Sequence, residues 1–248
     1  MASLPPTFLI CTTARSGSNL LSDYLNHTGL VGKVGEAFNP NMIRPLWFGK
    51  QAASEGQVIL PKYIDRLRSL HSAPSGIWGA KLLYEDLAAL ISLAPMQALM
   101  AESRMIFLRR RAKVSQAVSY FLAEATGRWV STDVGRMDPT EVTYDFARLS
   151  RILELLTQQE TRWLTYFEAN KIAYLEVIYE DFIADARAGL EKILAFLGIS
   201  FSNLIVETAF IEQKSAANQA LRERFLQERW QVVPRSSVVY NSLTFSAE

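Results

Sequence analysis

The chain has 248 residues, 26 basic and 25 acidic side chains and a formal charge of +1, with its basic residues scattered rather than massed. That length buries a full core and favours one domain over residues 1–248, while the balanced charge gives no cationic field for nucleic acid and leaves small molecules as the expected partners. A single cysteine, Cys11, excludes an internal disulfide and suits a reducing compartment.

Residues 1–12 lack the basic start and apolar length of a secretory signal, so a cytoplasmic location is expected. The first strand is Thr7–Thr12. It runs into Thr13-Ala14-Arg15-Ser16-Gly17-Ser18-Asn19 and then into the apolar period of a helix. Val34 to Pro61 shows no period and reads as a long loop. A second strand is expected over Ile77–Leu83. The apolar stretch Leu87–Met100 is interrupted by Ser92, Pro95 and Gln97 and is too short to span a bilayer. A third strand, Met105–Leu108, ends in Arg109-Arg110-Arg111. It precedes a helix whose stripe is Val114, Ala117, Val118, Phe121, Leu122 and Ala125. Gly127 to Thr143 is a second loop, and loops this long in compact domains serve as lids or binding loops. A helix follows over Phe146–Phe167, then a fourth strand, Ile172–Ile178, and a helix carrying Leu190, Ile193, Leu194 and Leu197 up to Gly198. Strands alternating with helices specify an α/β fold with a mainly parallel central sheet flanked by helices.

The Arg15 loop carries the first chemical signal. A strand, a tight turn and a helix start aim backbone N–H groups and the positive helix end at one point, a site for phosphate or sulfate. Arg15 adds a fixed charge. The spacing is not that of a Walker A loop, since Gly17 is followed by Ser18 and Asn19 with no upstream glycine. Nor is it a phosphatase-type thiolate loop, because Arg15 lies only four residues after Cys11, which falls inside an apolar strand. The same residues also suit an ordinary turn.

The second signal is the arginine run followed by Ser115 and Ser119, one turn apart on the next helix. Guanidinium groups and an oriented hydroxyl match phosphate oxygens, although a solvated basic helix start has the same composition. Third, Tyr179-Glu180-Asp181 follows the last strand. On physical grounds Tyr179 is a half-buried aromatic with a polar tip and Asp181 a helix N-cap.

Taken in order, TTARSGSNLL, G-x-x-x-E-x-F at Gly32 to Phe38, WGAKL at Trp78 to Leu82 and SQAVSYFLAEATGRW resemble the bacterial trehalose 2-sulfotransferase-like family. The resemblance covers most of residues 7–130. It implies a P-loop-like three-layer fold and an enzyme that moves the sulfuryl group of 3′-phosphoadenylyl sulfate (PAPS) to a hydroxyl and releases 3′,5′-adenosine bisphosphate (PAP). The expected acceptor is a carbohydrate, glycolipid precursor or other small metabolite, with no metal. By the same resemblance Arg15, Ser16, Gly17, Ser18 and Asn19 hold the 5′-phosphate, Arg109 or Arg110 with Ser119 grips the 3′-phosphate, and Tyr179 lies beside the adenine. The C-terminal R-K-G-x-x-G-D-W element of cytosolic sulfotransferases is missing. Only Lys214, Arg222, Arg224, Arg229 and Arg235 stand in that region as substitutes.

Transfer to a hydroxyl needs a base. Glu36, in the loop after the first helix, is the candidate ahead of His27 and His71. Lys81, at a strand end, either stabilises developing negative charge or is an ordinary strand-end lysine. Arg44, Trp47, Phe48 and Trp129 are candidate acceptor-site walls in the two loops at 34–61 and 127–143. Two other classes fit parts of the pattern, a nucleotide kinase of the P-loop type and a non-catalytic nucleotide-binding protein. Mean hydropathy slightly above zero and aromatics in the loops leave room for a homodimer.

Overall fold

The computed structural model describes residues 7–48, 58–129, 133, 135–209 and 216–232. Four parallel strands form one sheet, β1 (Thr7–Thr12), β2 (Trp78–Leu83), β3 (Ser103–Arg109) and β4 (Tyr174–Ile178), in the spatial order β2-β1-β3-β4. All six residues of β1 and of β2 are buried. Both faces are covered, which is why these strands read as continuous apolar runs rather than as alternation.

Parity along the strands assigns the two faces. Leu9, Cys11, Ala80, Leu82, Met105 and Phe107 point into one core with Trp163 and Phe167. Phe8, Ile10, Ile106, Leu108 and Val177 point into the other with Leu21, Leu25 and Leu190. The first layer is therefore covered by α7 (Phe146–Ala169) and by α3 (Leu60–His71); the second is covered by α1 (Ser18–His27) and α9 (Ala186–Phe196). Helix α6 (Lys113–Thr126) packs on α7 through a third cluster, Ala117, Phe121, Leu149, Ile152 and Leu156, so the stripe expected for α6 is realised.

The chain moves from β1 to β2 on one side and then across β1 to β3 on the other. Strand order thus reverses at β1, and the crevice beyond the carboxyl ends of β1 and β3 is the place where open parallel sheets bind ligands. The result is the P-loop-like, three-layer α/β fold expected from the sequence.

Two local expectations are corrected. The aperiodic stretch 34–61 contains α2 (Pro40–Phe48) and the start of α3. Pro40 opens α2, where a missing N–H costs nothing, and the Asn39 side chain accepts from Asn41 N at 3.0 Å. Pro45 inside α2 blurs its period. The stretch Leu87–Met100, expected only to be too short to span a bilayer, divides between α4 (Tyr84–Leu90) and α5 (Ala94–Glu102), with Pro95 in the first turn of α5. Asp181 is not an N-cap. Helix α8 (Tyr179–Ala184) starts two residues earlier with Ile178 at that position, and Asp181 pairs with Arg111 at 2.9 Å. In addition β4 begins at Tyr174 rather than at residue 172, and a helix that the sequence reading did not assign, α10 (Ala216–Val232), packs on α6 through Phe225. No helix among the described residues is long and apolar enough to cross a membrane.

Candidate active site

Local chain geometry builds the loop after β1. The Thr12 hydroxyl donates to the Leu108 carbonyl of β3 at 2.8 Å and lies 2.6 Å from the Ser16 hydroxyl, while the indole N–H of Trp163 donates to the Thr12 carbonyl at 2.8 Å. These bonds bind the loop to both neighbouring layers. The chain then turns through Arg15 at φ 59° and Gly17 at φ 94° before entering α1. A left-handed arginine costs roughly 1–2 kcal/mol, so the surroundings must enforce it. Gly17 is required twice over, by its φ and because a Cβ there would come within 2.1 Å of Cδ2 of Tyr179. Gly17 is also the N-cap residue of α1 and has no capping side chain, so the first-turn N–H groups of α1 face outward without intrahelical acceptors.

Arg15 and Ser119 meet, a contact the sequence reading did not anticipate. Nε of Arg15 donates to the Ser119 hydroxyl at 2.9 Å, and Nη1 donates to the Trp129 carbonyl. Burial and the neighbouring Arg110 both push the Arg15 pKa down, whereas Asp133 pushes it up. Asp133 accepts from Trp129 N at 2.7 Å, so the segment after α6 reaches back to the loop.

Three consecutive arginines reach three different environments. Arg109 is bound to Glu160 at 3.0 Å and to Glu176 at 2.8 Å. Arg110 lies 4.9 Å from the centroid of the Tyr179 ring, donates to the Arg15 carbonyl at 3.3 Å and has its buried Nε without a hydrogen-bond partner, 4.0 Å from Glu180. Arg111 pairs with Asp181 at the surface. Tyr179 is buried, wedged between Gly17 and the Arg110 guanidinium. Glu180 accepts from Arg111 N and Ala112 N at 2.9 and 3.0 Å and so fixes the start of α6; burial would raise its pKa, but these backbone donors outweigh that and lower it.

Glu36 and Lys81 also come together. Lys81 is 2% exposed, its Nζ lies 2.6 Å from Glu36 Oε1, and it donates to Asn19 Oδ1 on α1. Burial pushes the Lys81 pKa down against the pull of Glu36. The G-x-x-x-E-x-F stretch is held at Gly32, Glu36 and Phe38, and by the backbone at Gly35. A Cβ on Gly32 would strike the His71 carbonyl at 1.9 Å, Gly35 O accepts from Lys81 N at 2.8 Å, and Phe38 is fully buried against Tyr63. Glu36 Oε2 accepts from Asn39 at 3.0 Å.

Of the remaining candidates, Trp129 reaches the Arg15 loop through its carbonyl, while the histidines and Arg224 are engaged elsewhere. His27 ends α1 with Nδ1 at 2.8 Å from the Asp23 carbonyl. His71 ends α3, and burial and Lys33 push its pKa down. Arg224 lies over Tyr144 and pairs with Glu228. Lys214 and Arg235 fall outside the described residues. Trp47 packs on Tyr63, and Trp129 on Tyr120, 42% exposed. Sequence reasoning missed Gln116 and Asp86, both buried polar groups within apolar helices; only a polar residue inside an apolar pattern signals either one.

A parallel sheet with an arginine-bearing loop at its switch point and, on the next strand, a buried lysine paired with a loop carboxylate is the framework of a group-transfer enzyme. The chain belongs to the Stf0 sulphotransferase family, whose model matches residues 7–228, and it is a sulfotransferase. Among curated proteins it is similar to the trehalose 2-sulfotransferase of Mycolicibacterium smegmatis, with 24% identity over 72% of this chain and 79% of that protein. The trehalose 2-sulfotransferase of Mycobacterium tuberculosis is 25% identical over 77% and 84%, respectively. Among solved structures, the sulfotransferase domain of the Synechococcus olefin synthase shares the fold with a TM-score of 0.53 and 17% identity, covering 90% of this chain and 95% of the other. A sulfotransferase from Alicyclobacillus acidocaldarius gives 0.50 and 16%, covering 90% and 92%.

Proposed function

We propose that this sulfotransferase uses PAPS as donor and a hydroxyl of a small carbohydrate or glycolipid precursor as acceptor, in the cytoplasm, with residues 1–248 acting as one domain. The observation that carries the reading is the meeting of Arg15, Ser119 and Arg110 at the carboxyl ends of β1 and β3, with Lys81 on the adjacent strand β2 paired to Glu36 of the loop after α1. The site fits a doubly phosphorylated nucleotide. It offers two guanidinium groups, one with a buried Nε that has no hydrogen-bond partner, a hydroxyl and the first turn of α1. PAPS supplies the sulfuryl group and departs as PAP.

Arg15 and the Ser16–Asn19 backbone bind the 5′-phosphate and face the oxygen on which charge develops. Oriented donors of this kind lower a barrier more than they lower ground-state energy. Arg110 and Ser119 hold the 3′-phosphate; Arg109, bound to two carboxylates, instead ties β3 to α7 and β4. Tyr179 fixes the Arg110 guanidinium. Glu36 takes the acceptor proton at Oε1 as Lys81 gives up that oxygen and keeps its bond to Asn19, so the ammonium remains beside the reacting group. Similarity to trehalose sulfotransferases supports a sugar acceptor. Incubation with sulfur-labelled PAPS and a panel of saccharides, with and without a chelator, tests the reading. Chelator-insensitive label on a sugar is expected. Phosphate transfer from ATP that requires magnesium would replace it with a kinase, and tight PAP binding with no labelled product would replace it with a binding protein.

A further inference from the structure

Gln116 is fully buried, and the chemistry above gives it no task. A buried amide is expensive unless all its bonds are made, and here they are. Nε2 donates to Thr13 Oγ1 at 2.8 Å and to the Ala14 carbonyl at 2.7 Å, while Oε1 accepts from Lys113 Nζ at 3.3 Å. The orientation is forced, because the Ala14 carbonyl can only accept and an ammonium can only donate. Lys113 is itself bound to Glu160 of α7. The next residue of the loop after Ala14 is Arg15, in its left-handed conformation, and its Nε returns to Ser119, one turn beyond Gln116 on the same helix. One rigid helix therefore holds both the backbone that enters the turn and the tip of the arginine.

We propose that Gln116 is a positioning residue for the 5′-phosphate contact, holding Thr13 and Ala14 against α6 so that Arg15 keeps the left-handed backbone from which its guanidinium faces the phosphate. The proposal rests on Arg15 being the 5′-phosphate ligand. Gln116→Met keeps the volume and removes both donors. Calorimetry with two ligands separates positioning from general weakening: PAP carries the 5′-phosphate and adenosine 3′-monophosphate lacks it.

The variant should lose at least about tenfold in PAP affinity and stay within about twofold for the 3′-monophosphate. Equal losses for both ligands, or none, overturn the proposal. Wild type and Arg15→Ala, measured alongside, check the underlying reading. If wild type binds the two nucleotides equally, or Arg15→Ala changes neither, the 5′-phosphate assignment fails and Gln116 fails with it. If Gln116→Met does not fold, Lys113→Met frees the amide to turn away from the loop and leaves Glu160 paired with Arg109. A loss of roughly threefold or more for PAP alone is then expected, and an unchanged or two-sided result rejects the proposal.

Discussion

Replacing Glu36 with Gln tests the proton-transfer step with little change of shape. The amide oxygen can still accept from Lys81, but its NH2 group then faces the Asn39 donor, which now reaches Glu36 Oε2 at 3.0 Å. One hydrogen bond is lost and a buried ammonium loses its counter-charge at 2.6 Å. Side-chain exposure of 32% at Glu36 screens the pair, so the loss in stability should be about 1–3 kcal/mol rather than the larger cost of breaking a dry pair. In a domain of this size that is a fall in Tm of roughly 2–12 °C. Loss of the base should reduce turnover by roughly 10²–10⁴, a rise in barrier of about 2.7–5.4 kcal/mol, with PAP affinity within about twofold. Steady-state rates well below Tm, calorimetry with PAP and a thermal melt on one preparation separate the two effects. Turnover within threefold of wild type at a temperature where the variant is folded would refute the assignment and move the base to His71, to Lys81 or to the acceptor's own environment.

Arg15→Lys keeps the charge and loses the planar fork, so turnover should fall from wild type to Lys to Ala, with the alanine variant down by roughly two to three decades; a rise in donor KM alone would make Arg15 an anchor. The preference for PAP over adenosine 5′-phosphate, measured by calorimetry, should shrink by one to two decades in Ser119→Ala and in Arg110→Met and hold in Arg109→Met. A shrinkage confined to Arg111→Met, eight residues before Ser119, would relocate the clamp. Asp86 is 4% exposed, with Oδ2 unpartnered, and burial together with Glu85 raises its pKa from 3.8 to about 6. The folded state therefore holds a proton that the unfolded chain releases, and stability is full below pH 4 and lost as pH rises through 6. Asp86→Asn should add about 1–2 kcal/mol at pH 8 and flatten that slope; urea melts from pH 4 to 8 showing no gain would contradict it.

Much of the fold was legible because its signals are local. The four strands are apolar runs bounded by turn residues, and the stripe of α6 has a clean helical period, so sequence spacing alone sets them apart. Residues 34–61 defeated the same method because Pro45 interrupts the period of α2, which takes its order from contacts of Trp47 with Tyr63 that sequence distance hides. At the site, Arg15, Ser119, Glu36 and Lys81 stood out as charges or hydroxyls inside short local motifs, although Lys81 lies within β2 rather than at its end and Ser119 lies mid-helix in α6. Gln116 and Asp86 did not, since a buried polar group is defined by partners elsewhere in the chain and carries no local pattern. Asp181 was misread for a related reason. Its composition suits a cap, but the Arg111 guanidinium competes for the carboxylate, and α8 begins without it.

The three adjacent arginines show how strand parity can decide what composition cannot. Phe107 points into the layer of Trp163 and Phe167, and Arg109, two residues on, continues on that side and meets Glu160 of α7. Leu108 points into the opposite layer with Tyr179 and Phe182, and Arg110 follows it to the Tyr179 ring and the Arg15 carbonyl. Successive side chains in a strand alternate faces, so shifting the run by one residue would exchange these fates. An arginine held by two carboxylates has its donors committed and ties layers together; one held by an aromatic ring, a single carbonyl and a carboxylate only at 4.0 Å keeps donors for a ligand. The same alternation puts Lys81 on the α1 side with Ile10, its register partner in β1, and so within reach of Asn19 and Glu36. Buried charge on the second face thus lies next to the loop, and on the first face it is spent on joining β3 to α7.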